Sequence, residues 1–240
     1  LNAVNTLTTA MIFAAGRGER MRPMTDSCPK PLLKVGGKAL IVWQIERLAA
    51  AGFEVIVINH AWLGRMLQSN LGNGSRWGVE IRYSHEMHAL ETAGGIAKAL
   101  PLLETQGEPA IFLAVSGDVF CGFDYASLRT RVPSMALASE PAMHLVMVPN
   151  PPFHTLGDFA LEPNGTLSLD GSARFTFGNI GLYDTRMFRD LAPATRRALT
   201  PYYQATIKAR RATGELYEGQ WENVGTVAQL EALDRALRGK

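Results

Sequence analysis

The hydrophobic positions of this chain fall into short runs that stop at glycine or at a polar residue, with helical patterns between them. Ala10 to Ala15 is a continuous apolar run ending at Gly16, which predicts a first strand buried on both faces. Val55 to Ile58 predicts a second, closed by Asn59-His60, and Ala110 to Ser116 another, which delivers Gly117-Asp118. Between them, Leu40 to Ala51 has apolar residues at helical spacing, with Gly52 in the C′ position. A shorter helix from Trp62 to Leu71 leads through Gly72-Asn73-Gly74-Ser75 to a strand around Glu80 to Ser84. Thr92 to Gly95 then opens a helix that Pro101 interrupts. Alternation of this kind predicts an α/β fold with a mainly parallel sheet, whose carboxyl edge is the usual place for a ligand.

The second half is less regular. Strands around His144 to Pro149, Asp158 to Glu162, Thr166 to Leu169 and Arg174 to Tyr183, with a hairpin turn at Pro163-Asn164-Gly165, predict a smaller antiparallel sheet over one side of a pocket. Pro193 to Gly214 reads as a helix with a solvated basic face, and Thr226 to Gln229 as the capping box of a last helix.

Composition narrows the possibilities. A chain of 240 residues with 47% hydrophobic content suits one large domain, taken as residues 11–240. The first ten residues read as an extension outside the fold, without the basic and apolar regions of a signal peptide. A formal net charge of +2 lacks the polybasic field that nucleic acid or an anionic membrane requires, so small substrates are expected. Two cysteines, Cys28 and Cys121, are too few for a disulfide framework or a Cys-based zinc site, which fits a reducing cytoplasm. His85 and His88 stand three apart rather than the four of a zincin helix, and no apolar run reaches the length of a membrane span.

The densest chemistry lies between Met11 and Leu33. Gly16 and Gly18 allow close backbone approach and positive φ, and successive N–H groups in such a turn form an anion-binding concavity. Arg17, Arg20, Arg22 and Lys30 add positive charge. The spacing fits neither a P-loop nor the dinucleotide fingerprint, which needs a small residue where Met21 stands and an acid where Asn59 stands.

The same stretch resembles the signature of the sugar-1-phosphate nucleotidyltransferases. Ala14, Ala15, Gly16, Gly18, Arg20, Met21, Pro23, Met24 and Thr25 match its first block, and Pro29-Lys30-Pro31-Leu32 its second. The Asn59 strand end, Leu90-Glu91-Thr92-Ala93, Gly117-Asp118 and Trp221 to Thr226 follow in the family's order. Glu19, INHAWLG, the Gly-Asn-Gly-Ser turn and LETAGG make the chain most similar to the N-acetylmuramate 1-phosphate uridylyltransferases of bacterial cell-wall recycling.

The resemblance implies a Rossmann-like three-layer sandwich of the nucleotide-diphospho-sugar transferase type, with residues 11–122 mainly binding nucleotide and 123–240 mainly binding sugar. It implies attack by a sugar 1-phosphate oxygen on the α-phosphorus of UTP, assisted by Mg²⁺. Ala14, Ala15, Gly16 and Gly18 would cradle the triphosphate, Arg20 would reach its β- and γ-phosphates, and Lys30 would be the catalytic cation. Asp118 and Asn223 would hold the metal; many relatives have aspartate at the second position. Glu91 and Thr92 fall in a nucleoside-binding block, where Thr92 could equally cap its helix. Glu86, where relatives place a glutamine, would accept the uracil N3–H or else be a solvated loop carboxylate. Gly157 and Asn179 match the sugar positions, and Asp158 is open between a sugar contact and a strand-end carboxylate. Arg174 is a candidate for the lactyl carboxylate. Thymidylyl transfer to glucose 1-phosphate, cytidylyl transfer to phosphocholine and a silent binding subunit are the alternatives, and a monomer is expected.

Overall fold

The computed structural model describes residues 7–239. In chain order its strands are β1 (Thr9–Phe13), β2 (Lys34–Val35), β3 (Lys38–Ala39), β4 (Val55–His60), β5 (Glu80–His85), β6 (Ile111–Ser116), β7 (Val119–Cys121), β8 (Met143–Val148), β9 (Phe159–Leu161), β10 (Leu167–Ser168), β11 (Arg174–Asp184), β12 (Ala212–Leu216) and β13 (Trp221–Asn223). The helices are α1 (Met24–Ser27), α2 (Leu40–Ala50), α3 (Gly64–Leu71), α4 (Glu91–Leu103), α5 (Val132–Ala136), α6 (Thr200–Lys208) and α7 (Val227–Arg238).

The apolar runs become the parallel heart of the sheet, in the order β6-β1-β4-β5. Successive side chains point to opposite faces. Ile12, Ile56, Ile58, Leu113 and Val115 pack with Ile41, Ile45 and Leu48 of α2 and with Leu67 and Leu71 of α3. Met11, Val57, Phe112 and Ala114 pack on the other face with Ile96 and Ala97 of α4 and Ile207 of α6. Three layers result. A third cluster joins Met21, Leu33 and Val35 of the glycine loop region to Phe120, Val224, Leu230 and Leu233, so the C-terminal helix braces the loop.

The smaller antiparallel sheet is present and is spliced onto the central one. β9 pairs with β10 across the Pro163–Gly165 turn and with the start of β11. The far half of β11, Ile180 to Asp184, runs antiparallel to β6, with β8 on its other side. No helix among the described residues is long and apolar enough to cross a membrane.

Three sequence expectations need correction. The fold takes in residues 7–10: Leu7 is buried, the Thr8 carbonyl accepts the Glu54 and Val55 N–H groups, and β1 starts at Thr9. The rest of the supposed extension, residues 1–6, lies outside the described residues. Helix α4 runs through Pro101 to Leu103, because a proline in the last turn removes a single backbone bond while Ala99 and Leu103 continue the buried face. Between Pro193 and Gly214 only Thr200–Lys208 is α-helical. Arg210, at φ 54°, ends the turn after it, and Ala212–Leu216 pairs parallel with β8. Pro201 at the head of α6 marks its true start.

Candidate active site

The carboxyl ends of β1, β4 and β6 converge on the glycine loop. Asn59, buried at the end of β4, accepts the Ala14 N–H through Oδ1 at 3.0 Å and so fixes where the loop leaves β1. Below the loop is a cavity of about 340 Å³, lined by Ala14, Ala15, Gly16, Lys30, Asn59, Glu91, Thr92, Ser116 and Asp118 among others. A Cβ on Gly16 would meet nothing within 4 Å, so its backbone lies open to the cavity. Gly18 is different. It sits at φ 71°, where a Cβ would come 2.9 Å from Thr25 Cγ2 and 3.2 Å from Lys30 Cβ, and the Thr25 hydroxyl donates to its carbonyl at 2.9 Å. Gly18 thus folds the loop back onto the Pro-Lys-Pro segment.

The loop arginines divide by role. Arg17 donates to the Thr25 carbonyl at 2.6 Å and to Asp26 at 2.8 Å, and its guanidinium lies 4.0 Å from the Trp62 ring centroid; it straps the loop. Arg22 also pairs with Asp26, at 2.9 Å. Arg20 is exposed, with its guanidinium over Gly225, where a Cβ would approach Nη2 to 3.1 Å. It does not line the cavity in this conformation.

Lys30 begins a short 3₁₀ turn between two prolines, and its ammonium donates to Asp118 Oδ2. The Ser116 hydroxyl holds the other carboxylate oxygen at 2.6 Å. Beyond Asp118 the chain enters β7, whose antiparallel partner β13 places Asn223 opposite Val119, and the Val224 N–H donates to the Asp118 carbonyl at 3.0 Å. Asn223 Oδ1 is buried and has no hydrogen-bond partner among the described residues. Such an acceptor is costly to leave bare. The described residues contain no cluster of three or more His, Cys, Asp or Glu able to hold a metal. One carboxylate and one orphaned amide oxygen instead suit a hard cation that takes its remaining ligands from phosphate and water.

Asn223 lines a second cavity, of about 640 Å³, whose wall includes Asp158, Arg174, Thr176, Asn179, Tyr203 and Trp221. The register of β11 against β8 shifts between Phe177 and Gly181, and Asn179 there adopts φ 56°, so the bulge turns it into the cavity. Asp158 Oδ2 accepts the Phe177 N–H at 2.7 Å and braces the bulge, while its Oδ1 faces His154 Nε2 at 3.1 Å. Gly157 is buried behind this wall at φ 63°, where a Cβ would lie 2.8 Å from Asn150 Oδ1 and 2.9 Å from the Phe175 carbonyl. A space of about 380 Å³ bordered by Thr92 and Ser116 on one side and Asn179 and Tyr203 on the other joins the two cavities into one trough.

Glu86 is not brought to the cavity and is not a solvated loop residue. It is buried, with Oε1 accepting from Asn59 Nδ2 and Oε2 from the Leu90 N–H, each at 2.8 Å. Burial, the largest influence, pushes its carboxyl up from the ordinary range; those two bonds, with Lys98 and His85, oppose it. Thr92 faces the cavity and is not a cap, since α4 starts at Glu91 after Leu90 with no side-chain cap. Glu91 adopts φ 59° and pairs with Arg196 at 2.8 Å across the cavity mouth. Neither Arg196 nor Ser116 was among the sequence candidates. Arg196 was assigned to a helix's solvated face, whereas Ser116, two residues before Asp118, was findable from the strand end.

A family model described as nucleotidyl transferase matches residues 9–152. N-acetylmuramate alpha-1-phosphate uridylyltransferase of Neisseria meningitidis serogroup B is 46% identical over 234 residues, covering 96% of this chain and 98% of the relative. The protein of that name from Caulobacter vibrioides is 30% identical over 226 residues, 90% of this chain and 91% of its own. Among solved structures, a Bacillus anthracis protein assigned as a glucose-1-phosphate thymidylyltransferase superposes with a TM-score of 0.80 at 20% identity, covering 97% of this chain and 96% of that one. HddC from Yersinia pseudotuberculosis, complexed with GMP-PN, gives 0.75 at 14% identity, covering 96% and 99%. At these identities the two structures speak for the fold.

Proposed function

Because the chain belongs to the nucleotidyl transferase family, we propose that it transfers UMP from UTP to N-acetylmuramate α-1-phosphate, giving UDP-N-acetylmuramate and pyrophosphate. The observation that carries the reaction class is the Lys30–Asp118 pair in the glycine-loop cavity, whose carboxylate is held by Ser116, a residue that also borders the space leading to the second cavity. Uracil and N-acetylmuramate are favoured by the near-full-length likeness to relatives of that name.

In this reading the first cavity takes the nucleotide and the second takes the sugar. Ala15 and Gly16 present backbone N–H groups to the triphosphate, Ala14 lines its site with its own N–H held by Asn59, and Gly18 holds the loop in the shape that makes this possible. Arg20 swings from Gly225 to the β- and γ-phosphates, where its fork suits a bidentate contact. Lys30 exchanges Asp118 for phosphoryl oxygens and neutralises the charge that collects between donor and acceptor. An acceptor phosphate oxygen bonds to the α-phosphorus, the bond to the bridging oxygen breaks, and pyrophosphate leaves with that oxygen.

Asp118 and Asn223 Oδ1 would hold Mg²⁺, which when bound supplies positive charge to the phosphate oxygens. Thr92 and Glu91 border the nucleoside, and Glu86 shapes the base side through Asn59 and the Leu90 N–H without touching it. Asn179 and Asp158 face the sugar, with Gly157 letting their wall close up behind. We place the enzyme in the bacterial cytoplasm as a monomer acting on small molecules.

A matrix of nucleoside triphosphates against sugar 1-phosphates, read by pyrophosphate release, tests this. The expected result is turnover with UTP and N-acetylmuramate α-1-phosphate well above every other pair. Preference for another base or sugar would overturn the assignment.

A further inference from the structure

The wall of the second cavity holds a guanidinium that no carboxylate pairs with among the described residues. Arg174, half-buried at the start of β11, donates through Nη1 to the Leu169 carbonyl and through Nη2 to the Asp158 carbonyl, both at 2.6 Å. Both acceptors are neutral main-chain oxygens. The Asp158 carboxylate is turned elsewhere, to the Phe177 N–H and to His154. No ion pair therefore occupies Arg174, and these two bonds use two of the five N–H donors of a guanidinium. Held at two points on a sheet arm, it is oriented before any ligand arrives.

We propose that Arg174 reads a carboxylate on the acceptor and sets the preference for an acidic sugar 1-phosphate over a neutral one. This rests on the proposed function, in which the acceptor carries a lactyl carboxylate. Two features of the site make the discrimination steep. An acidic acceptor gains a charge-assisted pair with a group already in position, and a neutral acceptor displaces water from a guanidinium without replacing those bonds. His154, the other cation-forming group on this wall, is engaged by Asp158 and sits on the loop rather than on the sheet.

The test compares N-acetylmuramate α-1-phosphate with the same molecule carrying a lactamide in place of the carboxylate, which changes charge and little else. Wild type is expected to prefer the acid in kcat/KM by about ten- to a hundred-fold. Arg174→Gln should bring that ratio to within about two-fold, through a KM for the acid raised by more than any change for the amide. Arg174→Lys should restore part of the preference by keeping the charge without the fork. An unaltered ratio in Arg174→Gln would overturn the inference. So would equal loss on both acceptors with no recovery in Arg174→Lys, which would make Arg174 a brace for the wall. Wild type that turns over neither compound yet accepts another sugar 1-phosphate would instead refute the proposed function, and this inference with it.

Discussion

At the scale of single residues, the site is organised by groups that are held and groups that are left wanting. Lys30 and Asp118, 88 residues apart, satisfy one another, whereas Asn223 Oδ1, on the strand paired with the one that follows Asp118, is buried without a partner among the described residues. If that oxygen is a metal ligand, a charged one in its place should bind more tightly. Asn223→Asp is expected to lower the half-saturating magnesium concentration about three- to ten-fold, because affinity for a hard cation follows ligand charge. Magnesium titrations of pyrophosphate release would show it, and an unchanged midpoint would remove Asn223 from the metal.

Glu86 offers a second residue-scale test, through pH. Its carboxyl is raised from the ordinary 4.5 chiefly by burial, so the folded protein binds this proton more readily than the unfolded chain. The associated stability is present below pH 4.5 and is lost as pH rises through the folded value. Glu86→Gln removes the titration, and also turns an amide N–H towards existing donors, a pH-independent cost of about 1–3 kcal/mol. Urea melts should show wild type losing ground to Glu86→Gln as pH rises above 4.5. His60 shifts the opposite way, lowered by burial and by His85 and Lys98, but it is common to both proteins and cancels. A flat difference across that range would contradict the account of Glu86.

At the scale of elements, the bulge in β11 separates shape from contact. Asn179 occupies the left-handed region, which glycine tolerates more readily, so Asn179→Gly should leave thermal stability within about 1 kcal/mol of wild type or above it. The same variant should raise KM for the acceptor, because the amide leaves the cavity wall. A marked drop in stability with KM unchanged would make the side chain a structural part alone.

The elements also show what could be read from the sequence. The parallel strands were legible because Ala10–Ala15, Val55–Ile58 and Ala110–Ser116 are apolar runs with clear stops, and α2 because Gly52 closes it. The glycine loop was legible from its glycine and arginine spacing, and the place of Lys30 beside it from the resemblance to the family signature. The 193–214 stretch was not: its helical pattern yields to pairing between β12 and β8, a tertiary preference that local periodicity does not carry. Glu86 and Arg174 share a different difficulty. Whether a charged side chain is solvated, buried on a backbone N–H, or pinned to carbonyls depends on partners such as Asn59 and Leu169, which no spacing rule connects to them.

At the scale of the whole molecule, three layers bring the carboxyl edge of the parallel strands and the bulged part of β11 to opposite ends of one trough, and the third core cluster ties the C-terminal helix to the glycine loop. The trough needs both halves of the chain: Lys30 and Asp118 come from the first, Asn179 and Asn223 from the second. Joined cavities predict joined substrates, one nucleotide phosphate facing one sugar phosphate. The most direct measurement follows the oxygen atoms. N-acetylmuramate α-1-phosphate labelled with ¹⁸O throughout its phosphate is incubated with UTP and magnesium, and both products are weighed by mass spectrometry. Attack on the α-phosphorus predicts that every labelled oxygen appears in UDP-N-acetylmuramate and none in pyrophosphate; label in the released pyrophosphate, or release of orthophosphate with no nucleotide sugar formed, would contradict uridylyl transfer.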